Sequence, residues 1–198
     1  YTEFRLALIK DIEKRRKETR EIDMSYPFRR KESSEELLKI MLDLSIESLE
    51  TCYESIDVSN IEKVSEWIST AGNIYVYALG DSLITTMGFC NRLIKLGIKS
   101  TFAGEYGESV ANTYQIKGND LALFVSYTGN TVIDKKHLAM LRRRGCKLVM
   151  ITANAEIDNF DSVIRFPDRE ANSGKIATYY SQVCINYILN SIYAIIYN

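Results

Sequence analysis

The stretch Leu121-Ala122-Leu123-Phe124-Val125-Ser126-Tyr127-Thr128-Gly129-Asn130-Thr131 decides the fold. An unbroken apolar run of this length fits a strand buried on both faces, and the change at Ser126 to hydroxyl, glycine and amide residues marks the loop that leaves it. Ile74 to Leu79, closed by Gly80-Asp81-Ser82, has the same plan upstream. Outward from these two, short apolar runs at Lys99 to Phe102, Lys147 to Thr152 and Val163 to Phe166 alternate with helical spacing up to about Leu96, across 107–116, across 130–144 and from about Ser173 to Tyr197. Near-continuous apolar strands separated by helices predict an α/β fold. The expected architecture is a three-layer αβα sandwich around a five-stranded parallel sheet of flavodoxin or Rossmann type, with right-handed crossovers.

Helices precede this alternation. Phe4, Leu8 and Ile12 put a narrow apolar stripe on a charged helix over Thr2 to about Asp23, which Ser25-Tyr26-Pro27 breaks because proline disfavours α geometry in the residue before it. Ser33 or Ser34 caps a second helix with Glu35 and Glu36 in its first turn and Leu37, Ile40, Met41, Leu44, Ile46 and Leu49 as its core face. A third, from about Asn60 to Thr70, carries Ile61, Val64, Trp67 and Ile68 at helical spacing and ends at Gly72. The expected division is an N-terminal part, residues 1–31, and an α/β domain with its leading helices, residues 32–198.

Composition narrows the function classes. A formal net charge of -1 leaves the chain as a whole without the electrostatic footprint of a nucleic-acid binder. The first 31 residues differ, with ten Lys or Arg against six Asp or Glu, Lys14-Arg15-Arg16-Lys17 among them; such a run reads as a solvated helix face or the flank of a nucleic-acid-binding module. Cys52, Cys90, Cys146 and Cys184 show no CxxC spacing and read as buried free thiols of a reducing, cytoplasmic compartment. One histidine and no clustered ligands argue against a metal, and the longest apolar runs are too short to span a bilayer.

In open parallel sheets, ligands bind beyond the carboxyl ends of the strands. The two loops there hold Gly80 and Ser82, and Ser126, Thr128, Gly129, Asn130 and Thr131. Glycine lets backbone approach a ligand, amides at a helix start carry partial positive charge, and hydroxyls donate to phosphate oxygens, so an anion can be held without Lys or Arg. The alternative is that these residues are ordinary caps and turns.

From about Asn73 to Thr152 the chain resembles a sugar isomerase (SIS) domain, whose second loop reads Ser-x-Ser/Thr-Gly-x-Thr, as Ser126, Thr128, Gly129 and Thr131 do here. That family's first loop, Gly-x-Gly-x-Ser, is matched at Gly80 and Ser82, with Ala78 in place of the first glycine and an intervening Asp81 that has to turn away from an anion. More narrowly, the chain is similar to the effector half of RpiR-type transcriptional regulators, with Tyr1 to Leu8 similar to the last helix of their helix-turn-helix domain. The resemblance implies a sugar phosphate as effector, no catalytic residue and no cofactor. It implies contact with DNA only through a helix-turn-helix upstream of residue 1. Tyr106 and Glu108, and Glu170 and Ser173, occupy regions where the resemblance places groups near the sugar.

SIS domains serve as isomerases as well as sensors, so fold does not decide between them. An isomerase needs a positioned base, for which His137, Glu108 and Glu170 are the candidates. A sensor needs only differential contacts, and the basic run in residues 1–31 suits a linker, which favours the regulator. A dimerisation module with a vestigial pocket is a third reading. The last helix carries Val183, Ile185, Tyr187, Ile188, Leu189, Ile192, Tyr193, Ile195 and Ile196 around much of its girth, and this surplus predicts a homodimer.

Overall fold

The computed structural model describes residues 22–103, 105–171 and 176–198; most of the helix expected over Thr2 to Asp23 lies outside them. The helices are α1 (Ser34–Ser55), α2 (Val58–Thr70), α3 (Gly80–Ile94), α4 (Tyr106–Gln115), α5 (Lys135–Arg144) and α6 (Tyr179–Tyr197). The strands are β1 (Ile74–Ala78), β2 (Ser100–Phe102), β3 (Leu121–Val125), β4 (Lys147–Thr152) and β5 (Ser162–Arg165). Ser33 starts α1 through a capping box, its hydroxyl accepting from the Glu36 amide at 3.3 Å while the Glu36 carboxylate accepts from the Ser33 amide at 2.7 Å. Asp57 and Asp134 cap α2 and α5 more simply, their carboxylates accepting from the Ser59 and His137 amides.

All strand pairs are parallel, in the order β2-β1-β3-β4-β5. Alternate residues separate the core into two layers. Ile74, Val76, Ala78, Leu121, Leu123 and Val125 face α1, α2, α3 and α6, whereas Tyr75, Tyr77, Ala122, Phe124, Leu148 and Met150 face α4 and α5. The αβα sandwich is thus closed on both sides, as the unalternated strands require.

The helix α6 lies at the centre of the first layer, packed against α1, α2 and α3. Its Cys184, Ile185, Ile188, Leu189 and Ile192 are fully buried within one chain, each apolar side chain contributing about 1.5–3 kcal/mol. Most of the apolar girth of α6 therefore serves intramolecular packing, and Ile195 and Tyr197 are exposed near its end. More exposed apolar surface lies on α1, where Leu38, Leu42, Ile46, Leu49 and Tyr53 form an outward stripe, and on α3 at Ile84, Met87 and Ile94. Ile46 and Leu49, expected on the core face of α1, are turned outward, and Leu44, Ser48 and Cys52 face α6.

Two helix starts also differ from expectation. The second loop runs on to Asp134, whose carboxylate accepts from the His137 amide at 2.9 Å, so α5 begins at Lys135 instead of Asn130. The last helix begins at Tyr179, after the described residues Ile176 to Thr178. Ile22 and Met24, ahead of the division expected at residue 31, are buried in the first core layer.

Candidate ligand site

The chain reverses its direction of winding between β1 and β3. From β1 it passes to α3 on one face of the sheet, and from β3 to α5 on the other. Where neighbouring parallel strands send their helices to opposite faces, a crevice opens at their carboxyl ends. Ala78 is in register with Val125, so the two loops leave the sheet at the same level on strands about 4.8 Å apart.

Gly80 opens α3 with φ +55°, and a Cβ there would meet nothing within 4 Å, so its backbone borders open space. Leu79, at the cap position, makes no side-chain capping bond. The Gly80, Asp81 and Ser82 amides have no carbonyl a turn earlier to accept them, which leaves a cluster of donors at the positive end of the helix. The Asp81 carboxylate does turn aside, accepting a hydrogen bond from the Thr178 hydroxyl at the cap of α6.

The second loop is held from below. Ser126 extends the sheet by donating its amide to the Ile151 carbonyl at 3.1 Å, and the Gly129 amide closes a turn on the Ser126 carbonyl at 3.2 Å. Gly129 has φ +78°, and a Cβ on it would lie 2.6 Å from Ile157 Cγ1, so both conformation and space require glycine. The Tyr127 carbonyl accepts from the Thr152 hydroxyl at 3.0 Å and the Ala153 amide at 3.1 Å, and the Thr128 carbonyl from Asn154 Nδ2 at 2.8 Å. These bonds fix the loop by its carbonyls. Thr152 and Asn154 were not singled out from the sequence, although a hydroxyl ending a strand and an amide two residues on were the available signal.

The hydroxyls divide by use. Thr131 donates to the Ile133 carbonyl at 2.7 Å and so stabilises the loop, and Thr128 Oγ1 accepts from the Asn130 amide at 3.4 Å while keeping its proton free to donate. Ser126 and Ser82 make no side-chain hydrogen bond among the described residues. Asn130 is exposed at the outer end of the loop.

Tyr106 is the first residue of α4, and Glu108 is exposed in its first turn, one strand away from β1 on the β2 side. Ser173 lies outside the described residues. Glu170 is buried, its carboxylate accepting from the Ser181 amide at 2.8 Å and the Ser181 hydroxyl at 3.0 Å. His137 is in the first turn of α5, nearer the helix start than expected. Its Nδ1 lies 2.7 Å from Asp134 Oδ1 and its ring meets Tyr114 edge-on at 5.9 Å. The His137 amide holds the Asp134 carboxyl below its usual range.

All four cysteines are buried free thiols, and burial pushes the Cys146 thiol up to about 11. Among the described residues no group of three His, Cys, Asp or Glu could hold a metal ion, and no helix is long and apolar enough to cross a membrane. Two surface hollows of about 610 and 590 Å³ lie elsewhere, one along the start of α1 and one beneath the amino end of β4.

Solved structures share this fold. The sugar isomerase domain of an RpiR transcription factor from Sphaerobacter thermophilus superposes with a TM-score of 0.69 at 22% identity, covering 81% of this chain and 89% of that one. The chain carries the fold of a SIS domain. The same SIS fold occurs in the Vibrio vulnificus NanR protein complexed with ManNAc-6P, with a TM-score of 0.67 at 17% identity over 100% of this chain and 69% of that one. It also occurs in a Methanococcus jannaschii protein whose structure was taken to infer a 3-hexulose-6-phosphate isomerase function, with a TM-score of 0.57 at 20% identity over 82% of this chain and 90% of that one. A curated relative, an uncharacterised HTH-type transcriptional regulator of Providencia stuartii, is 18% identical over 168 residues; these are 85% of this chain and 57% of the relative. No family model matches the chain.

Proposed function

We propose that this chain is the effector-sensing SIS domain of an RpiR-type transcriptional regulator and holds a sugar phosphate in the crevice between residues 80–82 and 126–131. The observation that carries the reading is the register of β1 and β3. It sets the uncapped start of α3 beside a glycine-turned hydroxyl loop at the point where the winding reverses. Amide and alcohol donors from both sides then supply what a phosphate dianion needs: short charge-assisted hydrogen bonds without a formal cation. Ser82, Ser126 and Thr128 are the hydroxyl ligands in this reading, with the Gly80 to Ser82 amides opposite and Gly129, Asn130 and Thr131 shaping the loop. Tyr106, Glu108 and Ser173 are assigned to the sugar side, and Glu170 to supporting the start of α6.

The isomerase alternative draws support from the SIS-fold proteins read as isomerases, but two of the chain's candidate bases are otherwise engaged. His137 is paired with Asp134 and Glu170 with Ser181. In the regulator reading residues 1–31 lead to the upstream helix-turn-helix, DNA is contacted only there, and the protein works in the cytoplasm as a homodimer. The outward apolar stripes of α1 and α3 are the surfaces for a second copy, since a self-complementary stripe suits a two-fold contact.

Calorimetric titration with hexose 6-phosphates and N-acetylhexosamine 6-phosphates tests the proposal. Binding that is lost in Ser126→Ala/Thr128→Ala, with no isomer formed on incubation, is the expected result. Turnover of the bound sugar would establish the isomerase instead, and a lack of binding by the whole panel would end the phosphosugar reading.

A further inference from the structure

The short stretch on either side of α6's start touches both candidate loops and the N-terminal chain. On the loop side, the Tyr127 hydroxyl accepts from the Glu170 amide at 2.7 Å, donates to the Asp168 carboxylate and lies 3.0 Å from the Glu170 carbonyl. Thr178 holds Asp81 in the first turn of α3. On the other side, Ser25 is 6% exposed and is gripped twice: its hydroxyl accepts from the Ala171 amide at 2.7 Å and its carbonyl from the Ile176 amide at 3.0 Å. Phe28 packs edge-on against Tyr179 at 6.1 Å, and Arg169 pairs with Glu47 of α1 at 2.7 Å.

We infer that Ser25 and Tyr127 are the two ends of a coupling device: occupancy of the crevice, on the reading proposed above, changes the grip of residues 168–171 and 176–178 on the chain that enters at Ser25. Residues 126 and 128 flank Tyr127 directly, and Asp81 lies between Gly80 and Ser82, so an anion that draws either loop inward also moves a partner of Asp168 and Glu170 or of Thr178. Discrete packed and hydrogen-bonded contacts of this kind have alternative arrangements that both sites can bias. Ser25 sits four residues past the undescribed N-terminal segment, so a change in its clasp is passed to whatever residues 1–21 connect to. Coupling of this kind is reciprocal: what loosens Ser25 must also alter the affinity of the crevice.

The test uses inorganic phosphate as probe on the full 198-residue chain, with hydrogen exchange followed by mass spectrometry across residues 22–28 and 168–178. Saturating phosphate is expected to change exchange in both stretches by about fivefold or more, the low end of ordinary coupling between sites. In Ser25→Ala, thermal stabilisation by phosphate persists and the change at residues 22–28 is lost; Tyr127→Phe separates the two stretches in the same way from the loop end. Phosphate that binds wild-type protein without altering exchange at residues 22–28 overturns the coupling and leaves the site reading intact. Phosphate that also changes residues 22–28 in both variants overturns it as well. Absence of any binding removes the site reading and the coupling together.

Discussion

Gly129→Ala is the most informative single substitution in the crevice, because two separable costs meet there. The residue sits at φ +78°, where an L side chain costs roughly 1–2 kcal/mol. A Cβ would also fall 2.6 Å from Ile157 Cγ1, 2.9 Å from Ile157 Cδ1 and 3.3 Å from Asn154 Cβ, an overpacking of the kind that costs about 1–3 kcal/mol. Together these predict a loss of about 2–5 kcal/mol, or roughly 4–20 °C in melting temperature for a chain of this size. Gly80→Ala is the internal control. Its φ is +55° but its Cβ meets nothing, so only the conformational cost of about 1–2 kcal/mol applies. Urea denaturation of Gly129→Ala, Gly80→Ala, Ile157→Ala and the Gly129→Ala/Ile157→Ala double variant resolves the two costs. Removing Cγ1 and Cδ1 should return most of the overpacking term, so that the double variant is less damaged than the sum of the singles. Additivity within about 0.5 kcal/mol would refute the clash and with it the view that Ile157 sets the position of the hydroxyl loop.

Ser126→Ala and Thr128→Ala should each weaken phosphosugar binding by about 1.5–3 kcal/mol, roughly 10- to 150-fold in calorimetry, with little change in melting temperature since neither hydroxyl holds the fold together. Ser181→Ala removes the hydroxyl that donates to the buried Glu170 carboxylate and should lower stability by about 1.5–3 kcal/mol in urea denaturation. The neutral Cys146 thiol is favoured by burial, so its contribution is intact below the unfolded value of 9.0 and is lost as pH rises toward about 11. Stability should therefore fall across that interval by at most about 1.4 kcal/mol per pH unit from this group, and Cys146→Ala should remove that part of the slope. Leu42→Glu, on the outward stripe of α1, should shift the protein to monomer in light scattering without changing its melting temperature by more than a few degrees.

Much of the fold was legible because each layer has its own sequence rhythm. β3 and β4 have the same limits in the sequence reading and in the structure, since runs such as Leu121 to Val125 admit no amphipathic alternative. Ser33, Glu35 and Glu36 likewise mark the start of α1 through local hydrogen bonds alone. The start of α5 was not legible: Asn130, Thr131 and Asp134 can all cap a helix, and what selects Asp134 is that Ile133 is drawn into the core between the sheet and α5. Nor could the facing of α1 be read, because Leu38, Leu42, Ile46 and Leu49 are as apolar as Leu44. Only the seat of α6 against Leu44, Ser48 and Cys52 settles which side is buried.

The amino-acid order alone determined the layered α/β class, the strands and the two donor-rich loops, since these follow from periodicities and backbone preferences that act within a few residues. Tertiary structure alone decided that β1 and β3 are neighbours with Ala78 opposite Val125, which turns two separate loops into one crevice. It also decided that Ser25 meets Ala171 across 146 residues. Pairings over such separations depend on which buried surfaces fit together once the chain has closed on itself, and local sequence carries no record of that choice.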